Sequence, residues 1–418
     1  MDSILKKCKE SVISLNNASN DDIRNILLNI KKGLKKNEKY ILEENKKDLE
    51  VAKDLIKPQM LDRLKLTEER INGLCSSIDV LLDLPDYIGE VIEEYERPNG
   101  LKIQKVRVPF GVIASIFEAR PNVCVDIACL CLKTKNACVL KGGKEAINTN
   151  KALVSTIKEA IKDYVDPNCV TLIERTDRAA TDELITKREY IDLLIPRGSK
   201  GLIQYVVMNS KIPFIETGAG NCTLYVEKTA DIAMALDVAL NAKHQRPSVC
   251  NAIENLLVDE DIAEEFLPQL ELLFVTNNVE LRADDKAIKY LKSAKPATPE
   301  DFDTEYNDLI IAIKVVKDYK EAISFINQHS TKHSESIISE NDEAVRAFFN
   351  EIDSACVYHN ASTRFTDGGE FGFGAEIGIS TTKLHARGPM GLKEITTYKY
   401  IIDGKNGECR KWVINLVF

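Results

Sequence analysis

The sequence predicts an α/β fold built on parallel sheets with crossover helices. Two observations carry this. Between about 109 and 360, short apolar runs alternate with segments of helical period. Glycine-rich turns also stand where several of those runs hand over to helices.

In chain order, residues 1 to about 85 read as charged, amphipathic helices. Ile23, Ile26, Leu27, Ile30 and Leu34 share one face, behind a cap at Ser19 or Asn20 with Asp21 and Asp22 in the first turn. Ile71, Leu74, Ile78 and Leu81 repeat the pattern. Val91–Tyr95 and Leu101–Val108 are extended stretches separated by Arg97-Pro98-Asn99-Gly100, which predicts a β-hairpin. GVIASIF (111–117), ACVLK (137–141), CVTLI (169–173) and YIDLLIP (190–196) are strand candidates, with helices over 144–164 and 199–210. A second alternating stretch places helices near 229–245 and 318–328, and strands near 309–316 and 355–358. The segment 367–391 holds seven glycines, at 368, 369, 372, 374, 378, 388 and 391, a density that marks either a flexible linker or a backbone cradle for a ligand.

Composition narrows the function classes. The chain has 418 residues, 44% hydrophobic and 29% charged, enough for two or three packed domains and far from disordered composition. A formal charge of -9 and a pI near 5.4 give no general attraction to nucleic acid or anionic lipid. Lys6, Lys7, Lys9 and Glu10 interrupt any signal-like apolar core, and no window resembles a membrane span, so a cytoplasmic protein is expected. Eleven cysteines are an odd number, and Cys124, Cys129, Cys131 and Cys138 lack the C-x-x-C pairs of a zinc site. Set among Val, Ile, Ala and Leu, they read as buried packing residues, and no metal is expected.

Cys250 stands apart, within Gln245-Arg246-Pro247-Ser248-Val249-Cys250-Asn251-Ala252. Pro247 ends the preceding helix, and Ile253, Leu256 and Leu257 suggest a new helical face. The thiol is therefore expected at a helix N-terminus near Arg246, both of which favour thiolate. Locally, one more buried cysteine is an equal reading. Three glycine turns accompany it: Lys141-Gly142-Gly143-Lys144, Arg197-Gly198-Ser199-Lys200-Gly201, and Glu216-Thr217-Gly218-Ala219-Gly220-Asn221 after a third expected strand. None is a Walker loop or a G-x-G-x-x-G fingerprint, and each alone is an ordinary tight turn. Together, two of them with lysines, they suggest a nucleotide pocket.

The runs PFGVIASIFEARPNVCVD (109–126), NACVLKGGKEA (136–146), IPRGSKGL (195–202), IETGAGN (215–221), NAKHQRPSVCNA (241–252) and EFGFGAEIGISTTKLHARGPMGL (370–392) resemble the γ-glutamyl phosphate reductases, a branch of the aldehyde dehydrogenase superfamily. The resemblance extends over essentially the whole chain. It implies an aldehyde dehydrogenase-like α/β fold: a Rossmann-like cofactor domain over 1–88 and 109–225, a catalytic α/β domain over 226–395, and an oligomerisation flap over 89–108 and 396–418. It implies a homo-oligomer.

Carried over residue by residue, the resemblance makes Cys250 the nucleophile, Asn122 the oxyanion-hole amide and Glu216 a general acid or base. Arg120 occupies the place where ordinary aldehyde dehydrogenases have that amide. Lys141 matches a contact to the adenosine ribose, Gly198 and Ser199 the pyrophosphate-side turn, and Glu305 the nicotinamide ribose. Lys144 replaces an acidic residue of NAD-using relatives and would pair with a 2′-phosphate, which implies NADPH. Arg120, Arg246, His385 and Arg387 are the cations expected to meet the substrate's anionic groups. The implied reaction reduces L-glutamate 5-phosphate to L-glutamate 5-semialdehyde and phosphate through a Cys thioacyl intermediate, in proline biosynthesis, with substrate handed over by glutamate 5-kinase. The rivals are an NAD(P)-dependent aldehyde oxidiser on the same fold, disfavoured by the 370–391 segment, and a non-catalytic protein that has kept the fold.

Overall fold

The computed structural model describes residues 1–404 apart from Leu55, Lys57 and Ala375. They form two compact units: Met1–Leu194 with Lys211–Pro213 and the chain from Gly391 on, and Ile195–Ser210 with Phe214–Met390. The sequence reading sets the boundary at 225, some 30 residues later. The segment 222–226 pairs only within the second unit's sheet, which draws the chain ahead of it there.

The first unit opens with helices α1 (Asp2–Asn17), α2 (Asn20–Lys36), α3 (Glu38–Ala52), α4 (Pro58–Leu64) and α5 (Glu68–Asp83). Ser19 caps α2 in a full capping box with Asp22, and Ile23, Ile26, Leu27, Ile30 and Leu34 are all buried, as their spacing requires. Strands β1 (Val91–Glu96) and β2 (Lys102–Pro109) pair antiparallel around the Arg97–Gly100 turn, closed by the Gly100 N–H on the Arg97 carbonyl at 2.8 Å with Gly100 at φ +87°. β3 (Val112–Phe117), α6 (Asn122–Lys133), β4 (Ala137–Lys141), α7 (Ile147–Ile161), β5 (Val170–Leu172), α8 (Arg178–Leu184) and β6 (Leu193–Arg197) give a sheet of order β5-β4-β3-β6. The chain passes from the first unit to the second within β6. α6 is buried almost all round, and its cysteines with Cys138 of β4 serve as packing groups.

The second unit continues with α9 (Lys200–Asn209), β7 (Cys222–Val226), α10 (Ile232–His244), β8 (Ile253–Asp259), α11 (Ala263–Thr276), β9 (Glu280–Ala283), β10 (Lys295–Pro296), β11 (Ile310–Val316), α12 (Tyr319–His329), β12 (Ser334–Ile338), α13 (Asp342–Glu351) and β13 (Cys356–His359). Its seven-stranded parallel sheet runs β10-β9-β11-β8-β7-β12-β13. Leu256 and Val258 pack into the core on one face of the sheet, while Leu257 joins Tyr225 and Val316 on the other. A strand covered on both faces is apolar at successive positions, so period alone could not separate it from a helix. The Gly-rich segment adds the small antiparallel pair β14 (Gly378–Ser380) and β15 (Gly388–Met390). β16 (Thr396–Asp403) returns to the first unit and extends the hairpin to the order β1-β2-β16. The expected flap residues 405–418 lie outside the described residues. Among the described residues, no helix is long and apolar enough to cross a membrane.

Candidate active site

Cys250 lies half-buried in the turn between α10 and β8. The expected helix N-terminus is not there, because Ile253–Asp259 form the central strand β8. The backbone that follows the thiol is a strand and contributes no helix dipole to its ionised form.

Three segments and a closing turn bond fix this turn. Cys222, opening β7, donates its thiol to the Cys250 carbonyl at 3.1 Å. Thr363 Oγ1 donates to the Asn251 carbonyl at 2.7 Å, and Asn251 Nδ2 donates to the carbonyls of Thr366 at 2.8 Å and Arg364 at 3.3 Å. The Ala252 N–H closes on the Val249 carbonyl at 3.1 Å. Gly220 approaches so closely that a Cβ there would stand 1.5 Å from the Cys250 carbonyl oxygen. The loop carrying Gly220 is itself anchored: the Gly220 N–H donates to Glu305 Oε1 at 2.8 Å, and Asn221 Nδ2 to the carbonyls of Phe302 at 2.7 Å and His329 at 2.9 Å. Glu216, half-buried, begins this loop. The strand expected before it is reduced to single bridges, of which Thr217 with Ser380 is one. Its carboxylate has no hydrogen-bonding partner among the described residues.

A fully buried ion pair ties the two ends of the turn. Lys243 Nζ in the last turn of α10 meets Glu254 Oε2 on β8 at 2.5 Å. Burial pushes the Glu254 carboxyl above its ordinary range and the Lys243 ammonium below its own, and each charge offsets part of the other's loss of water. Beneath the turn, burial holds His333, just before β12, down at about 4 and raises Glu335 of β12 to about 8. His333 Nδ1 stands 3.6 Å from the Cys222 sulfur, and Glu335 Oε2 accepts the Thr223 N–H at 2.7 Å. Both are neutral near pH 7.

Of the expected substrate cations in this unit, Arg246 is exposed four residues before Cys250. His385 is exposed at φ +65°. Arg387 is tied to Asp353, donating to its carboxylate at 3.0 Å, and Lys332 and Lys383 share the same carboxylate. Those three cations hold the Asp353 carboxyl well below the usual range, while the buried Arg387 Nε has no hydrogen-bond partner among the described residues. The sequence reading passed over Arg364, whose side chain reaches Gln245. It also passed over Gly220, Lys243 and Glu254. Arg364 is 114 positions from Cys250, and nothing in its local run marks it.

Ser199 caps α9, its hydroxyl accepting the Leu202 N–H at 3.4 Å, with Gly198 just before it. In the first unit, Lys141 ends β4, buried, and burial lowers its pKa. Its ammonium makes no ion pair or hydrogen bond among the described residues. A Cβ at Gly142 would stand 2.1 Å from Asn150 Nδ2. Lys144 is exposed and opens the short 3₁₀ turn ahead of α7. Glu145 accepts the Ala119 N–H at 2.7 Å, which ties the 118–121 loop to the glycine turn. Asn122 opens α6 with its amide donated to Asp126 at 3.0 Å, and the Arg120 carbonyl accepts the Val123 N–H at 3.0 Å. Among the described residues no group of three His, Cys, Asp or Glu could hold a metal ion.

Residues 7–286 match the aldehyde dehydrogenase family. A γ-glutamyl phosphate reductase of Clostridium botulinum (strain Eklund 17B / Type B) is 52% identical over 409 residues, covering 97% of this chain and 98% of the relative. One from Petrotoga mobilis is 52% identical over 97% of each chain. The crystal structure of γ-glutamyl phosphate reductase from Thermotoga maritima superposes with a TM-score of 0.95 at 47% identity, covering 98% of this chain and 99% of that one. An acetylating aldehyde dehydrogenase from Geobacillus thermoglucosidasius shares the fold, with a TM-score of 0.70 at 16% identity over 98% of this chain and 97% of that one. With its cysteine turn set at the head of a parallel sheet, the chain belongs to the γ-glutamyl phosphate reductase branch of the aldehyde dehydrogenase family.

Proposed function

We propose that this protein reduces γ-glutamyl phosphate to glutamate 5-semialdehyde and phosphate, using NADPH and a thioacyl intermediate on Cys250, as a step of proline biosynthesis. The observation that carries the reading is the Cys250 turn, pinned by Cys222, Gly220 and the 363–366 segment. A nucleophile held in place that firmly can meet a carbonyl without reorganising. The acyl phosphate is already activated. The Cys250 sulfur bonds to the acyl carbon, the carbon–oxygen bond to phosphate breaks, and its electron pair leaves with the phosphate. Arg246 and Arg364 favour the thiolate beforehand. The backbone N–H of Cys250 and the amide of Asn122 are the proposed oxyanion donors. Glu216 is the proposed acid or base for release of the aldehyde.

The residues present fit a phosphorylated nicotinamide cofactor. Lys141 is a buried cation with no protein partner among the described residues, Gly142 leaves no room for a side chain, and Lys144 adds an exposed charge one turn later. Lys141 and Lys144 would hold the adenosine ribose and its 2′-phosphate, with Gly198 and Ser199 on the pyrophosphate and Glu305 on the nicotinamide ribose. When bound, the cofactor supplies the hydride. Three-stranded β1-β2-β16 exposes Tyr398, Tyr400, Ile401 and Ile402, an apolar strip that supports self-association.

The test runs the reaction backwards, with glutamate 5-semialdehyde, inorganic phosphate and NADP⁺. Reduction of NADP⁺ should require phosphate, which an aldehyde oxidiser releasing free acid would not. Cys250→Ala should abolish it while leaving cofactor binding intact. Turnover without phosphate, or in Cys250→Ala, would overturn the reading.

A further inference from the structure

Arg364 is held across the turn that carries Cys250. Its Nε donates to Gln245 Oε1 at 3.2 Å, and its carbonyl takes a bond from Asn251, the residue after the nucleophile. Gln245 adjoins Arg246 in the chain. Neither arginine forms an ion pair with any described residue. Elsewhere in the unit the guanidinium groups of Arg282 and Arg387 are matched to carboxylates: Arg282 to Asp301 at 2.5 Å and Arg387 to Asp353 at 3.0 Å. Arg364 is half-buried, and burial followed by the like charge of Arg246 makes its cation less favourable than usual. Asp367 acts on Arg364 only from beyond ion-pair distance. Two neighbouring guanidinium groups, one partly out of water and neither in an ion pair, are stabilised when an anion arrives.

We infer that Arg364, together with Arg246, forms the subsite for the phosphoryl group of the acyl-phosphate substrate beside Cys250. The inference rests on the proposed reaction and adds a residue to it. Phosphate is favoured over the substrate's amino-acid end by charge. A phosphoryl dianion matches two guanidinium forks, whereas the α-carboxylate arrives with an ammonium that the same pair would repel. The arrangement also suits the chemistry. As the thiolate bonds to the acyl carbon, negative charge passes to the departing phosphate oxygen, where the two guanidinium groups receive it.

The reverse reaction separates the two anions, because phosphate and semialdehyde are then distinct substrates. Arg364→Ala should raise the KM for phosphate roughly 10- to 100-fold, with the KM for semialdehyde changed less than about 2-fold. Arg364→Lys keeps the charge and loses the fork, so its rise should be intermediate. As a readout independent of turnover, inorganic phosphate should slow alkylation of Cys250, mapped by peptide mass, in the native protein and not in Arg364→Ala. A rise confined to the semialdehyde KM would assign Arg364 to the carboxylate and overturn the inference, as would no change in either. Native protein that shows no phosphate-dependent NADP⁺ reduction would instead refute the proposed reaction itself. Phosphate protection of Cys250 would then still decide whether the arginine pair binds the anion.

Discussion

Gly220→Ala tests the construction of the active-site turn directly. The added methyl would stand 1.5 Å from the Cys250 carbonyl oxygen, 2.3 Å from its carbon and 2.6 Å from its Cα. Ordinary contact needs about 3.4 Å, so the Cys250 backbone, the Gly220 loop or both must withdraw by about 2 Å. Neither side yields easily. The Gly220 N–H is bonded to Glu305, and the Cys250 carbonyl to the Cys222 thiol. A misplacement of ~1 Å costs roughly 100-fold in rate, so kcat should fall at least that far. The assay is steady-state kinetics in the phosphate-dependent direction, paired with the alkylation rate of Cys250 and circular dichroism on the same sample. The expected outcome is a folded protein with the thiol still titratable and turnover lost. If Gly220→Ala retains more than about a tenth of native kcat, the turn is not held by this contact.

Three further outcomes follow from groups around the turn and the cofactor residues. Lys243→Met should strand the Glu254 carboxylate and destabilise the second unit by about 3–5 kcal/mol, or a loss of melting temperature on the order of 10 °C in differential scanning calorimetry; Lys243→Met with Glu254→Met should recover most of it. Glu335, held at about 8 by burial, keeps a proton that the unfolded chain releases near pH 4.5. Its contribution to stability therefore declines as pH rises from about 4.5 to 8, and Glu335→Gln should flatten that decline in denaturant titrations across the window; an unchanged slope would show that the carboxyl titrates normally. Lys144→Glu should weaken NADPH binding relative to NADH by roughly 10- to 100-fold in fluorescence titrations, and an unmoved ratio would place the 2′-phosphate elsewhere.

Much of the architecture follows from local sequence alone. The capped face of α2, the hairpin around Gly100 and the strand–helix alternation through β3, β4 and α7 depend on period, caps and turn residues a few positions apart. The sequence also singled out Cys250, because its neighbours match a known family over a continuous run. Tertiary structure decided what surrounds that sulfur. Ile253–Asp259 is equally apolar as helix or strand, and only the cover on both faces of the sheet makes it β8, which removes the helix N-terminus expected at the thiol. Gly220 resembles the glycines beside it until the Cys250 carbonyl is brought against it from 30 positions away. Nothing local marks Arg364 until Asn251 and Gln245 hold it across the turn that carries the nucleophile, and only the fold brings Arg387 to Asp353. Charge and close approach act through space, so residues far apart in the chain acquire these roles only when the sheet has set their distances.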